Sequence, residues 1–212
     1  LIILTSATFD GVLYHTERFM SEILALKPDM IFHWDEAWFS YAHFSPIYHD
    51  RHAMSVARRL SKKCDSETYQ KKYKKWAKLA KLNDDDWVLN NDLLPDPSVV
   101  KLRVYSSQST HKTLTSFRQG SMIHVWDDDF NSDAFVDAYY THTSTSPNYQ
   151  ILASLDVGRR QVALEGYDLV TRAINLGVYF RKKVIQSIEL QSFFSILEIS
   201  DIVPSAQKRA FP

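Results

Sequence analysis

A strand, a helix and a second strand occupy the first 38 residues, and that order constrains the fold more than any other feature of the chain. Leu1-Ile2-Ile3-Leu4-Thr5-Ser6 is a short apolar run closed by hydroxyl residues, with a turn at Asp10-Gly11; it reads as a buried strand. Thr16 to Leu26 places Phe19, Ile23, Leu24 and Leu26 on helical spacing and stops short of Pro28. Met30-Ile31-Phe32 then runs into Asp35-Glu36-Ala37-Trp38, a second buried strand that opens into polar residues. Strands joined by a helical crossover pair in parallel, and a parallel sheet needs helices against its faces. The expectation is an α/β fold, a mostly parallel sheet flanked by helices. Ligands of such sheets collect beyond the carboxyl ends of the strands, which is where Asp35 falls.

Further along, Val99–Tyr105 and Met122–Val125 resume strand character, and Asp133–Tyr140 reads as helix. Thr141 to Pro147 is a hydroxyl-rich turn. Gln150 to Gln191 is mostly helical, with Ile151, Leu152, Leu155, Val162, Leu169 and Ile174 as core candidates. The stretch from about 50 to 98 has another texture. Eight lysines between Ser61 and Leu82 are followed by Asp84-Asp85-Asp86. The acidic run cancels the basic one, so we read a solvated insertion whose helix buries Tyr73, Trp76 and Leu79.

With 45% apolar and 24% charged residues the chain is neither disordered, collagenous nor a coiled coil. Its 25 basic residues balance 25 acidic ones, which gives no field to draw nucleic acid or anionic lipid. No apolar run reaches the length of a membrane span. A lone cysteine, Cys64, forms no internal disulfide and suits a reducing compartment, so a soluble cytoplasmic protein is expected. Only five glycines occur, and neither GxGxxG nor GxxxxGK[ST] is among them, so a glycine loop cradling a nucleotide phosphate is ruled out for this segment. The chain begins Leu1-Ile2-Ile3-Leu4 without methionine, inside an apolar strand, and is read as a piece of something larger.

The most informative stretch for chemistry is Ser109-Thr110-His111-Lys112, just past a strand end. A lysine among small hydroxyl residues suits an amine that traps a carbonyl while a phosphate is held nearby. Pyridoxal phosphate asks for that combination, together with a carboxylate on its pyridine nitrogen. Asp35 is the candidate carboxylate, and Ala37, two positions on, leaves room for a flat ring.

These residues, with Phe44-Ser45-Pro46-Ile47-Tyr48, Gln119-Gly120-Ser121-Met122-Ile123-His124-Val125 and Thr141-His142-Thr143-Ser144-Thr145-Ser146-Pro147, resemble the class-I ornithine/lysine/arginine decarboxylases. Thr8-Phe9-Asp10-Gly11 is similar to a Thr-Tyr-Asp-Gly turn of that family. The resemblance runs in order from about residue 1 to 185. It implies a pyridoxal-phosphate enzyme of the aspartate-aminotransferase fold, releasing carbon dioxide from lysine, arginine or ornithine. By the same resemblance Lys112 would form the Schiff base and Asp35 would pair with the pyridinium nitrogen. Ala37 would pack on the ring, Trp38 would line the pocket, and Ser109 and His111 would lie at the phosphate. Ser144 resembles a position that reaches the phosphate of a neighbouring subunit, which implies a homodimer or higher homo-oligomer. Residues 1–189 would be the later half of the cofactor-binding domain, and 190–212 the start of a connection to a C-terminal domain.

Other readings weigh less. His15, His33, His43, His49 and His52 crowd one region, but no pair has HExxH spacing and no cysteine joins them, so no metal is expected. Ser6, Asp35 and His111 lack the GxSxG elbow of a hydrolase. Asp35-Glu36-Ala37 and Ser6-Ala7-Thr8 imitate helicase motifs, yet in the wrong order and without a phosphate loop. A catalytically inactive scaffold of the same fold is the remaining alternative, and packing alone has no need of both Asp35 and Lys112.

Overall fold

The computed structural model describes residues 1–198 and residue 201. The chain divides into two units, Leu1–Gly166 and Tyr167–Pro212. The first is built on a sheet of β1 (Ile2–Thr5), β2 (Ile31–Asp35), β3 (Arg103–Gln108) and β4 (Met122–Asp127), in that spatial order. β1 and β2 run parallel with Thr5 opposite Asp35, and β2 and β3 run parallel with Asp35 opposite Ser107. β4 is antiparallel to β3, Ser106 facing His124. The connection between those two strands holds only the one-turn helix α5 (Thr110–Thr113), too little for a crossover, so the chain turns back on itself.

Two crossover helices make the core. α1 (Thr16–Leu26) contributes Met20 and Leu24, and α2 (Ala53–Asp65) contributes Ala53, Val56, Ala57 and Leu60. They pack with Phe32 and Trp34 of β2, Leu102, and Val104 of β3, all nearly inaccessible to water. Each large side chain so buried contributes roughly 1.5–3 kcal/mol. His15 and His52 stand at the N-caps of α1 and α2, their ring nitrogens accepting the Arg18 and Ser55 amide N–H groups at 3.3 Å each.

The lysine-rich stretch departs from its sequence reading. Its beginning is not a solvated add-on, because α2 is the crossover that covers the sheet. The single basic helix is split at Ser66, whose hydroxyl caps α3 (Glu67–Ala77) by accepting the Tyr69 N–H. α3 ends before Leu79, which is 74% exposed, and the buried residue is Tyr69, whose hydroxyl donates to the Pro95 carbonyl at 2.9 Å. Tyr73 and Trp76 pack beside it as expected. The short α4 (Asp85–Asn90) follows, capped by Asp84.

α6 (Ser132–His142) and the long α7 (Tyr149–Gln186) complete the helices of the larger unit, α7 continuing into the second. Leu152 and Leu169, expected in the core, are exposed. Val162, also expected there, is buried, and the other buried residues of α7 in the first unit are Gly158 and Gly166. A Cβ on Gly158 would lie 1.6 Å from the Thr115 carbonyl oxygen, and one on Gly166 would lie 2.6 Å from the Phe44 ring. Bare backbone, not an apolar side chain, is what lets the helix approach. In the second unit Val170 and Val184 are buried, and Ser187 caps α8 (Ile188–Gln191). Most of the connection expected over 190–212 lies outside the described residues. Among the described residues no helix is long and apolar enough to cross a membrane.

Candidate active site at the carboxyl edge of the sheet

Asp35 ends β2, and Lys112 sits in α5, which opens two residues after β3 ends. Because β2 and β3 are parallel neighbours, both residues stand at the same carboxyl edge. The Asp35 carboxylate accepts the Ala37 N–H at 2.9 Å and so turns the chain out of the sheet. Trp38 follows with 45% of its surface exposed, edge-on to Phe9 at 5.6 Å between ring centroids. The Lys112 ammonium lies 5.1 Å from the centroid of that indole, a cation–π contact. The lysine is thereby held over an aromatic face.

Ser109 occupies the N-cap position of α5 without spending its hydroxyl there. Thr110 is buried, its hydroxyl 2.9 Å from that of Ser116. Nδ1 of His111 is 2.8 Å from the Gly120 carbonyl. A carbonyl only accepts, so Nδ1 is the donor in this bond. Six of the expected residues, Asp35, Ala37, Trp38, Ser109, His111 and Lys112, are thus carried to one edge. Ser144 is not among them. It lies exposed in the turn between α6 and α7, and its hydroxyl accepts the Ser146 N–H at 3.1 Å.

One residue that matters was missed in the sequence. Glu36 follows Asp35 and is 0% exposed. Successive side chains of a strand point oppositely, so the acid pair divides into one outward and one inward carboxylate. Oε1 of Glu36 accepts from the Ser6 hydroxyl at 3.3 Å and the Ala53 N–H at 2.7 Å. Oε2 accepts from the Ser106 hydroxyl at 2.6 Å and the Gln108 side-chain amide at 3.0 Å. A buried carboxylate is costly unless it is hydrogen-bonded on all sides, and this one is. It ties the ends of β1 and β3 and the first turn of α2 to the end of β2, and so fixes the edge on which Asp35 and Lys112 stand. No local signal in the sequence marks it, because its donors come from four residues spread along the chain.

The five histidines separate into distinct settings. His15 is a cap and His33 bonds the Ser107 hydroxyl at 3.1 Å, whereas His43, His49 and His52 converge. Helical spacing was the wrong template for them, since 3-10 turns at Ser40–Phe44 and His49–Arg51 fold the segment back on itself. Burial first, then the neighbouring His43 and His49, pushes the pKa of His52 down to about 3. Burial likewise lowers that of His43.

A family model described as Orn/Lys/Arg decarboxylase, major domain, matches residues 1–77 and 52–207. The inducible lysine decarboxylase of Escherichia coli K12 is 32% identical over 183 residues, covering 86% of this chain and 19% of that protein. The biodegradative arginine decarboxylase of the same strain is 30% identical, covering 85% and 19%. The crystal structure of the Francisella novicida lysine decarboxylase LdcF superposes with a TM-score of 0.59 at 29% identity, over 92% of this chain and 21% of that one. The chain therefore spans about a fifth of the length of these relatives. With most of its length matched by the family model, the chain belongs to the Orn/Lys/Arg decarboxylase family, within its major domain.

Proposed function

We propose that the full-length protein decarboxylates a basic amino acid (lysine, arginine or ornithine) with pyridoxal phosphate as cofactor, in the cytoplasm, and that residues 1–189 are the later part of its cofactor-binding domain. The observation that carries this is the placement of Lys112 and Asp35 at one sheet edge in a chain of this family. The donor set fits the group. Lys112 presents an exposed amine beside an indole face, one oxygen of Asp35 is engaged by Ala37 N–H, and the Ser109 hydroxyl is free of the cap it could have made.

When bound, pyridoxal phosphate supplies an electron sink for the pair left at Cα as carbon dioxide departs. Lys112 is the amine that would hold its aldehyde, and Asp35 would keep a proton on its ring nitrogen. Ala37 would give a flat ring clearance, and Trp38 would line the pocket. Ser109 would donate to the phosphate, and His111, whose Nδ1 is already engaged by the Gly120 carbonyl, would lie beside it. Ser144, on an exposed turn, would serve the site of a second copy, so the protein works as a homodimer or larger homo-oligomer.

The test is borohydride reduction of the full-length protein with pyridoxal phosphate, followed by peptide mapping. A pyridoxyl group fixed on Lys112, with carbon dioxide release lost in Lys112→Ala, is the expected result. A folded protein that takes no label at Lys112 would overturn the reading and leave an inactive scaffold in its place.

A further inference from the structure

Three imidazoles from one short segment, His43, His49 and His52, bring ligand nitrogens within 4.8 Å of one another. Their ring centroids are 5.1, 5.3 and 5.5 Å apart. Nδ1 of His43 is 3.2 Å from Nε2 of His52. Two nitrogens each about 2.0–2.1 Å from a tetrahedral zinc ion stand about 3.4 Å apart, so this pair already has the spacing of a chelate edge. A simple hydrogen bond between two rings would explain that distance, but it has no use for a third ring.

The third ring is oriented from behind. Nδ1 of His49 is 3.3 Å from the Asp50 carboxylate, and Asp50 is itself held by the Arg59 guanidinium at 2.6 Å. A carboxylate on Nδ1 places the proton there and leaves Nε2 as the donor, the arrangement that commonly stands behind metal-bound histidine. His52 is buried at the start of α2, while His43 and His49 face solvent and are free to close around an ion.

We propose that His43, His49 and His52 form a binding site for a borderline divalent transition-metal ion, with zinc as the type case. The donor set is all imidazole, which suits zinc, copper, nickel and cobalt and offers nothing to calcium or magnesium. The fourth position falls to water or to the Ser55 hydroxyl, 2.8 Å from Nε2 of His52. Binding moves the His52 proton to Nδ1 and gives up the 3.3 Å cap bond from the Ser55 amide. The ion would clasp the two 3-10 turns to the first turn of α2, where Ala53 N–H meets Glu36. The site shares no residue with the proposed cofactor set and stands or falls without it.

Cobalt(II) is the probe, titrated into the full-length protein after stripping with a chelator. The expected result is one equivalent bound with visible d–d bands of tetrahedral cobalt, displaced by zinc and indifferent to a large excess of magnesium. His43→Ala and His49→Ala, both solvent-facing changes checked by circular dichroism, should each weaken cobalt binding at least tenfold, while His33→Ala should not. As a measurement without substitutions, zinc should protect His43 and His49 of the unaltered protein from diethyl pyrocarbonate. Cobalt affinity unchanged in both alanine variants, or modification of both histidines unaffected by zinc, would overturn the site.

Discussion

Removing the Glu36 side chain is the most direct test of how the carboxyl edge of the sheet is held. In Glu36→Ala four donors lose their acceptor at once. They are not equivalent. The Ser6 and Ser106 hydroxyls can rotate, and Gln108, only partly buried, can turn toward water. The Ala53 N–H cannot, because it is fixed in the first turn of α2, is fully buried, and has no partner within the helix. An unsatisfied buried group costs roughly 1–3 kcal/mol, and the emptied space adds a cavity term. The loss works out at about 3–6 kcal/mol, which at about 2–4 °C per kcal/mol for a chain of this size lowers the melting midpoint by roughly 6–24 °C.

Glu36→Gln gives the contrasting case. With its amide oxygen toward Ala53 and Ser6, its NH2 meets Ser106, which can accept, and Gln108, which can flip its own amide. Only the charge-assisted strength is lost, about 1–2 kcal/mol. Urea unfolding followed by tryptophan fluorescence reads the difference, since Trp34 is buried in the same core. A Glu36→Ala variant within about 1 kcal/mol of the parent, or a glutamine variant as damaged as the alanine one, would refute the argument.

Further perturbations probe the packing and the titration. Gly158→Ala would drive a Cβ into the Thr115 carbonyl and should lower the melting midpoint sharply, while Gly177→Ala, with nothing within 4 Å, should raise it slightly by about 0.5–1 kcal/mol of helix propensity. Equal effects in calorimetry would remove close approach as the reason for the glycine. His52 has a folded pKa of about 3 against an unfolded value of about 6.5, so below pH 6.5 the unfolded chain takes up a proton that the folded chain refuses. In chelator-treated buffer its contribution should be complete above pH 6.5 and fall with pH by up to about 1.4 kcal/mol per unit down to about pH 3. His52→Asn keeps a cap acceptor and should flatten that slope in urea titrations across the range; an unchanged slope would show that the ring is not held neutral. Tyr69→Phe removes the donor to the Pro95 carbonyl and should cost about 1 kcal/mol in the same assay, and no loss would mean that bond contributes nothing.

Strand–helix–strand order was legible because both periods are local: Phe32 of β2 and Leu24 of α1 are buried as their spacing indicated, although Leu26, on the same spacing, is exposed and Met20 takes the buried place. The placement of Asp35 and Lys112 at one edge was legible for a related reason, since Asp35 ends one strand, Lys112 follows the next, and the two strands pair in parallel. Glu36 was not. Its burial is tolerable only because donors arrive from Ser6, Ala53, Ser106 and Gln108, the last of them 72 residues away. No local pattern distinguishes it from its neighbour Asp35, which is exposed.

The histidines and the glycines of α7 fail to be legible in the same way. His43, His49 and His52 converge through two 3-10 turns that no apolar period announces. Gly158 and Gly166 are buried for what they lack, and a reading that scores side chains by apolarity passes over them in favour of Leu152 and Leu169. Lys112 depends on this second kind of residue. The turn that follows it rests on α7, with the Thr115 hydroxyl donating to the Gly158 carbonyl and the Ser154 hydroxyl accepting the Phe117 N–H. The lysine itself could be picked out from its neighbours in sequence, but what keeps it at the sheet edge is a close backbone contact with a helix more than forty residues further on.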